Sequence, residues 1–397
     1  MAGIDFDPFS DELVYGDKYA VYKRLRDEAP THYSEKWGCY VLSRFAGVWE
    51  ACQSPAISSA HGTTLSHLLT KVQPVQPMLN MMDPPGHSSL RALLRKQFMP
   101  RRVKELAAPI QALVEELLDA LREHDTPDFV SQFAQPLATG VGGMVIGLPA
   151  EDGLYLRGLV DQFFSRDPDN PGMTERGIAA MLEMDEYFEK LSAERRGKPA
   201  VDFDAISVLQ SWEGPDGHRA DDHEVASNLQ LLLIGGTDTL PKVLANLVLR
   251  LAQNPDQRAD LAADPSLAAD AFNEAVRLDM PTQNMARMLI DDFQVHDETL
   301  ESGKPVLLLY ASANRDEREF PNPDVYDMRR RAPRSVSFSH GTHACIGLHV
   351  ARKEGEIAIS ELLRRHPGYS IDEAQLERYE TEFVQGYSRV PISLDGG

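Results

Sequence analysis

The chain of 397 residues is poor in cysteine and in long apolar runs. Its three cysteines, Cys39, Cys52 and Cys345, form an odd, irregularly spaced set, which is no disulfide framework. C-x-x-C does not occur, which argues against zinc ribbons, iron–sulfur clusters and thioredoxin-type chemistry. C-x-x-C-H is missing too, which argues against covalent c-type haem attachment. The longest apolar stretches, such as 229–234 with Gln230 inside it, are too short to span a bilayer. The N-terminus MAGIDFDPFSDELVYGDKY is acidic and lacks the basic flank and apolar stretch of a signal peptide, so the expected location is the cytoplasm. A net charge of −21 repels nucleic acid and anionic membranes.

What is present reads as an ordinary soluble globular protein, with 42% hydrophobic and 25% charged residues. There is no internal repeat. Pro/Gly clusters at 167–172 and 213–217 are too short to separate domains, so one domain over residues 1–397 is expected. Helical spacing covers 20–28, with Asp17 as a cap, and 109–123, where Ile110, Leu113, Val114, Leu117, Leu118 and Leu121 share a face. Further helices are expected from 221–222 to about 251, at 267–278 and at 348–365. Short strands are expected at 31–33, 38–42, 285–290, 305–310 and 390–394. The polar, Arg- and Pro-rich stretch 313–337 reads as a long loop packed onto something. The fold class is mainly α with a small β portion.

The segment Phe338-Ser-His-Gly-Thr-His-Ala-Cys345-Ile-Gly347 has the spacing F-x-x-G-x-H-x-C-x-G. Two glycines allow a tight bend around a sulfur. Backbone N–H groups at the start of the next helix would favour negative charge on it. A lone cysteine is most often a small buried apolar residue; the ten-residue pattern sets this one apart. The segment resembles the haem-binding signature of the cytochrome P450 family, of the soluble bacterial type. Three more blocks resemble the same family in the right order, so the likeness runs from about Asp17 to Pro391. It implies the P450 fold, with haem b buried between a long oxygen-activating helix and the cysteine loop. It also implies Cys345 as the thiolate ligand, with Phe338 and Gly347 shaping its surroundings.

The second block, Gly235-Gly236-Thr237-Asp238-Thr239-Leu240-Pro241, is a conflict inside a helix. Two glycines weaken the ladder, and Pro241 deprives the Thr237 carbonyl of its donor. The block resembles the family's A/G-G-x-D/E-T motif, which implies proton delivery by Asp238 and Thr239 during dioxygen activation. Glu274 and Arg277 stand three apart on one helix face. They resemble the family's E-x-x-R element, whose third partner is an Arg from the loop before the cysteine: Arg330, with Arg329 as the alternative. The resemblance also implies haem propionate partners: His87 and Arg91 in D-P-P-G-H-x-x-x-R, then Arg287 and His343.

The stretch from Arg91 to Lys104 carries Arg95, Lys96, Arg101 and Arg102 and no acid, a local reversal in an acidic chain. The resemblance implies that this run lies near the cysteine side of the haem, where it would steer a small acidic ferredoxin, which with its reductase would bring electrons from NAD(P)H. By the same resemblance, the substrate pocket is expected in segments 61–82, 159–173, 232–236, 281–288 and 383–385. Its candidate lining is Met78, Met81, Met82, Phe163, Phe164, Ile234, Gly235 and Phe383, with Phe163-Phe164 as a lid. An apolar, Met-rich lining suits a small or medium hydrophobic substrate, hydroxylated or O-dealkylated by a monomeric enzyme. Two other readings stand beside this one: a peroxide-driven peroxygenase and a non-catalytic haem-thiolate binding or sensing protein.

Overall fold

The structure, a computed structural model, describes residues 4, 6–70, 78–165, 173–199 and 204–394. The Pro/Gly cluster at 167–172 lies outside the described residues, as do parts of the candidate pocket segments 61–82 and 159–173. Among the described residues helix makes up 55% and sheet 12%, the mainly helical balance expected. Two compact units form. The first comprises Met1–Pro74, Asn273–Cys345 and Tyr379–Gly386; the second comprises Val75–Phe272, Ile346–Arg378 and Tyr387–Gly397.

The first unit is built on a five-stranded sheet of β1 (Thr31–Ser34), β2 (Cys39–Leu42), β3 (Ile57–Ser58), β4 (Met285–Leu289) and β5 (Pro305–Leu308), in the order β1-β2-β5-β4-β3. β1 and β2 pair antiparallel with Thr31 opposite Leu42, and Gly38 at φ +60° helps the turn between them. β2 runs parallel to β5, placing Tyr40 beside Val306, and β4 runs antiparallel to β5. Val41, Leu42, Val306, Leu307 and Leu308 are at most 1% exposed, which is why the centre of the sheet reads as continuous apolar runs. The strand expected to reach residue 310 stops at Leu308, and Tyr310–Ala313 coils into a helical turn. A fully buried apolar run carries no period, so pattern alone cannot separate the two. The helix Lys18–Glu28 packs Val21, Tyr22 and Leu25 into the same core, and the Asp17 carboxylate caps it by accepting from the Ala20 N–H at 3.2 Å.

Five helices matter most for the chemistry: α1 (Gly86–Phe98), α2 (Asp222–Thr237), α3 (Thr239–Gln253), α4 (Ala268–Leu278) and α5 (Leu348–Arg365). In the second unit α2 opens on a capping box between Asp221 and Glu224. The single helix expected from 221 to 251 is two, interrupted at Asp238, and it runs on to Gln253. Asp222–Gln253 is long and apolar enough to cross a membrane by length and composition alone, which the short contiguous apolar runs did not suggest. Its apolar window is 61% buried within the protein, as befits a core helix. The helix Ala107–Arg122 inserts Ile110, Val114, Leu118 and Leu121, all 0% exposed, and packs on α5. Gly355 lets α5 press against the Phe272 ring: a methyl group there would sit 2.1 Å from it. The helix Glu175–Arg195, 21 residues long, was not anticipated; it packs against α2.

Candidate active site

Cys345 stands in a loop that bends back on itself. Its N–H donates to the Phe338 carbonyl at 2.8 Å, closing the segment that the ten-residue pattern marks. Of the two glycines, only Gly341 is in the left-handed region, at φ +71°, and a Cβ on it would lie 2.3 Å from the Cys52 carbonyl oxygen. Gly347 has φ −79° and forms the N-cap of α5, a conformation open to any residue. The expectation that both glycines serve the bend therefore holds for one. Ala351 is the first residue of α5 seen to donate back along it, to the Gly347 carbonyl at 2.9 Å, so the N–H groups of the first turn begin just past the sulfur. The three cysteines differ in setting. Cys39 is fully buried, and burial pushes its thiol up to about 12, whereas Cys345 is exposed.

The long stretch before that loop has no helix or strand between Ala313 and Gly341, and side chains hold it instead. Arg277, 1% exposed, donates from Nε to Glu274 Oε2 at 2.8 Å and from Nη2 to Oε1 at 2.7 Å. Its Nη1 reaches the carbonyls of Asn314 and Pro323 at 2.7 and 2.9 Å. Arg330 Nε joins Glu274 Oε1 at 2.9 Å, while Arg329 is exposed. One carboxylate thus collects two guanidinium groups, the charge-assisted geometry that makes a buried ion pair tolerable. Closer to the cysteine, the Tyr310 hydroxyl pairs with Ser339 Oγ at 2.8 Å and lies 3.6 Å from Cys52 Sγ. Burial raises the Tyr310 phenol well above its ordinary range, so it stays a neutral hydrogen-bonding group.

In the second unit, α2 turns an unusual surface outward. Gly235 and Gly236 are exposed at the C-terminal end of α2, and a Cβ on either would meet nothing within 4 Å. The helix opens two residues later, at Asp238, three residues before Pro241. Thr239 Oγ1 lies 3.5 Å from the Gly235 carbonyl. Asp238 Oδ1 accepts from Lys242 Nζ at 2.5 Å, and Asp238 Oδ2 is buried with no hydrogen-bond partner among the described residues.

The remaining candidates fall as follows. His87, 1% exposed, and Arg91 sit on successive turns of α1; burial and the Arg91 charge both lower the His87 imidazole. Arg287 is 7% exposed on β4, donates to the Ala286 carbonyl at 2.8 Å, and lies near enough to Tyr310 to pull its phenol downward. His343 closes a short turn two residues before Cys345. Met78, Met82, Phe163, Ile234 and Phe383 are partly buried, whereas Met81 and Phe164 are almost fully buried. Phe163 and Phe164 meet edge to face at 4.9 Å. Met82 lines a small cavity with Leu90, Leu209, Trp212, Val225 and Asn228. Arg95, Lys96, Arg101 and Lys104 are exposed, but Arg102 is paired with Glu105, the acid just beyond the basic run.

Reading the sequence missed Lys242, although its spacing of four from Asp238 is the signal of a helical ion pair. Tyr310 and Ser339 were missed as well; nothing local marks a pair that meets only through the fold. Within the first unit an exposed cysteine suits a thiolate ligand, and within the second a helix face bare of side chains beside an acid and an alcohol suits a flat group.

The sequence pattern that defines the cytochrome P450 family matches residues 171–381. Cytochrome P450 130 of Mycobacterium tuberculosis is 34% identical over 393 residues, covering 96% of each chain. The steroid C26-monooxygenase of the same organism is 32% identical, covering 94% of this chain and 92% of its own. Among solved structures, the cytochrome P450 PksS of the Bacillus subtilis 168 bacillaene polyketide synthase superposes with a TM-score of 0.86. It shares 28% identity and covers 98% of this chain and all of its own. The chain therefore belongs to the cytochrome P450 family, enzymes that carry haem b on a cysteine thiolate and incorporate oxygen from O2 into their substrates.

Proposed function

We propose that this enzyme inserts one oxygen atom from O2 into a small or medium hydrophobic substrate, by hydroxylation or O-dealkylation. It does so in the cytoplasm, with electrons from NAD(P)H through a separate ferredoxin reductase and ferredoxin. The observation that carries the reading is the bare Gly235–Gly236 step, open on one face and followed by Asp238 and Thr239. When bound, haem supplies the redox chemistry of dioxygen, with thiolate ligation favouring O–O cleavage.

The chain's own residues do the rest. Cys345 is the ligand, Phe338 shields its sulfur, and Gly347 starts the helix whose N–H groups favour the thiolate. His87, Arg91, Arg287 and His343 meet the propionates as donors. Thr239 Oγ1 holds a proton at the open face, and Asp238 Oδ2 exchanges protons with it. Glu274, Arg277 and Arg330 fix the segment that carries the cysteine. The partly buried apolar groups Met78, Met82, Phe163, Ile234 and Phe383 exclude water and receive the substrate, with Gly235 giving it room. A steroid-sized apolar molecule fits the likeness to the steroid C26-monooxygenase.

For the donor, Arg95, Lys96, Arg101 and Lys104 form an exposed basic face on α1 and the short helix after it. Arg95 of α1 and Arg352 of α5 both act on His349, lowering its imidazole after burial, so the patch continues onto α5. An acidic ferredoxin suits that face.

The test begins with the reduced protein and carbon monoxide. A red-shifted Soret band typical of thiolate ligation is expected, lost in Cys345→Ala. In Thr239→Ala, haem and substrate-induced spectral shifts should persist while reducing equivalents drain into peroxide. Unaltered coupling in that variant, or an unchanged band without Cys345, overturns the assignment.

A further inference from the structure

The feature that this reading leaves unexplained is Lys242. Its side chain is 9% exposed and that of Asp238 is 10%, so both charges sit almost wholly inside the second unit. Lys242 Nζ donates to Asp238 Oδ1 at 2.5 Å and to the Asp238 carbonyl at 2.9 Å. A residue four places on reaches both acceptors because the helix is interrupted at Asp238 and resumes at Thr239. Taking an ammonium out of water is costly, and surface steering of a ferredoxin gains nothing from a charge held there. The pair uses one carboxylate oxygen and leaves Oδ2 buried without a hydrogen-bond partner among the described residues.

We infer that Lys242 is a positioning residue for proton delivery. By holding Oδ1 and the backbone carbonyl together, it fixes the Asp238 rotamer and leaves Oδ2 as the one oxygen able to take up and pass on a proton. The idea rests on the proton-delivery role proposed for Asp238. A lysine with a freely rotating partner would let either oxygen wander; two donor contacts from one ammonium, to side chain and main chain of the same residue, do not.

The experiment uses haem-loaded protein and two readouts. The first is isotope-edited infrared spectroscopy of protein labelled with [13C]aspartate, with Asp238→Asn subtracted to isolate the Asp238 bands. The separation of the two carboxylate stretches reports how its oxygens are bonded, without turnover. It should change in Lys242→Met and return in Lys242→Arg. The second is NAD(P)H consumption supported by a plant-type ferredoxin and its reductase, in H2O and D2O. Asp238→Asn should slow it by roughly a hundredfold and Lys242→Met by roughly tenfold with a larger solvent isotope effect, while Lys242→Arg stays within about twofold. In Asp238→Asn/Lys242→Met the second change should add nothing. Should Lys242→Met fold poorly, Lys242→Gln gives the same comparison. Unmoved infrared bands, or additive losses in the double variant, overturn the role of Lys242. An Asp238→Asn enzyme with full rate and coupling overturns instead the proton-delivery reading beneath it.

Discussion

At the scale of single residues, the cysteine loop depends on an atom that is not there. Gly341 turns at φ +71° with the Cys52 carbonyl lying where a methyl group would go. Gly341→Ala should therefore cost roughly 2–4 kcal/mol, combining left-handed strain with a steric clash that the backbone of another segment cannot easily relieve. A lowered Tm and faster loss of the thiolate-type carbon monoxide spectrum are expected; a melting point within one degree of the parent's would sink the argument. The glycine was legible in the sequence and its purpose was not, because the oxygen it avoids belongs to residue 52. Lys242 teaches the same lesson in reverse. Its spacing from Asp238 was in plain view, but a lysine on an apolar helix ordinarily reads as solvated, and only burial shows that it is not.

Among the elements, those with a strong period and clear ends were readable. α5 begins at Leu348 and ends at Arg365 as expected, and Ala107–Arg122 follows its leucine stripe. The interruption at Asp238 follows from the glycines and Pro241. Glu175–Arg195 was not read, because Ile178 and Leu182 lie exposed beside buried Met184 and Phe188 and blur its apolar face. α5 also carries a pH-dependent contribution. Arg364 holds the Glu361 carboxyl down to about 2, burial opposes this, and Arg365 adds to it. A folded value below the ordinary 4.5 means stability that is present above pH 4.5 and lost as pH falls towards 2. Glu361→Gln should thus be less stable by roughly 2 kcal/mol at neutral pH, a figure discounted because Arg364 is 65% exposed. In urea titrations between pH 7 and 2.5 that deficit should shrink as the parent acidifies; a constant gap would contradict the pairing.

Over the whole molecule, a net charge of −21 coexists with the exposed Arg95, Lys96, Arg101 and Lys104, the basic face proposed for the donor. The long-range field repels an acidic donor while the patch attracts it, so association should be sharply salt-dependent. Combining Arg95→Glu, Lys96→Glu and Arg101→Glu is expected to slow reduction by an acidic ferredoxin roughly tenfold or more at low ionic strength. The difference should fade near 0.5 M salt, where the screening length is roughly 4–5 Å. Arg102→Glu should do less, since Glu105 already neutralises that charge; equal effects in stopped-flow would place the docking face elsewhere. The first unit draws on residues from both ends of a long separation. Cys52 and Ser339, whose side chains approach near the cysteine loop, stand 287 positions apart. That loop therefore cannot take its shape from local chain preference. Contacts so distant in sequence form slowly, so the loop's final shape belongs to the first unit as a whole rather than to its own stretch of chain.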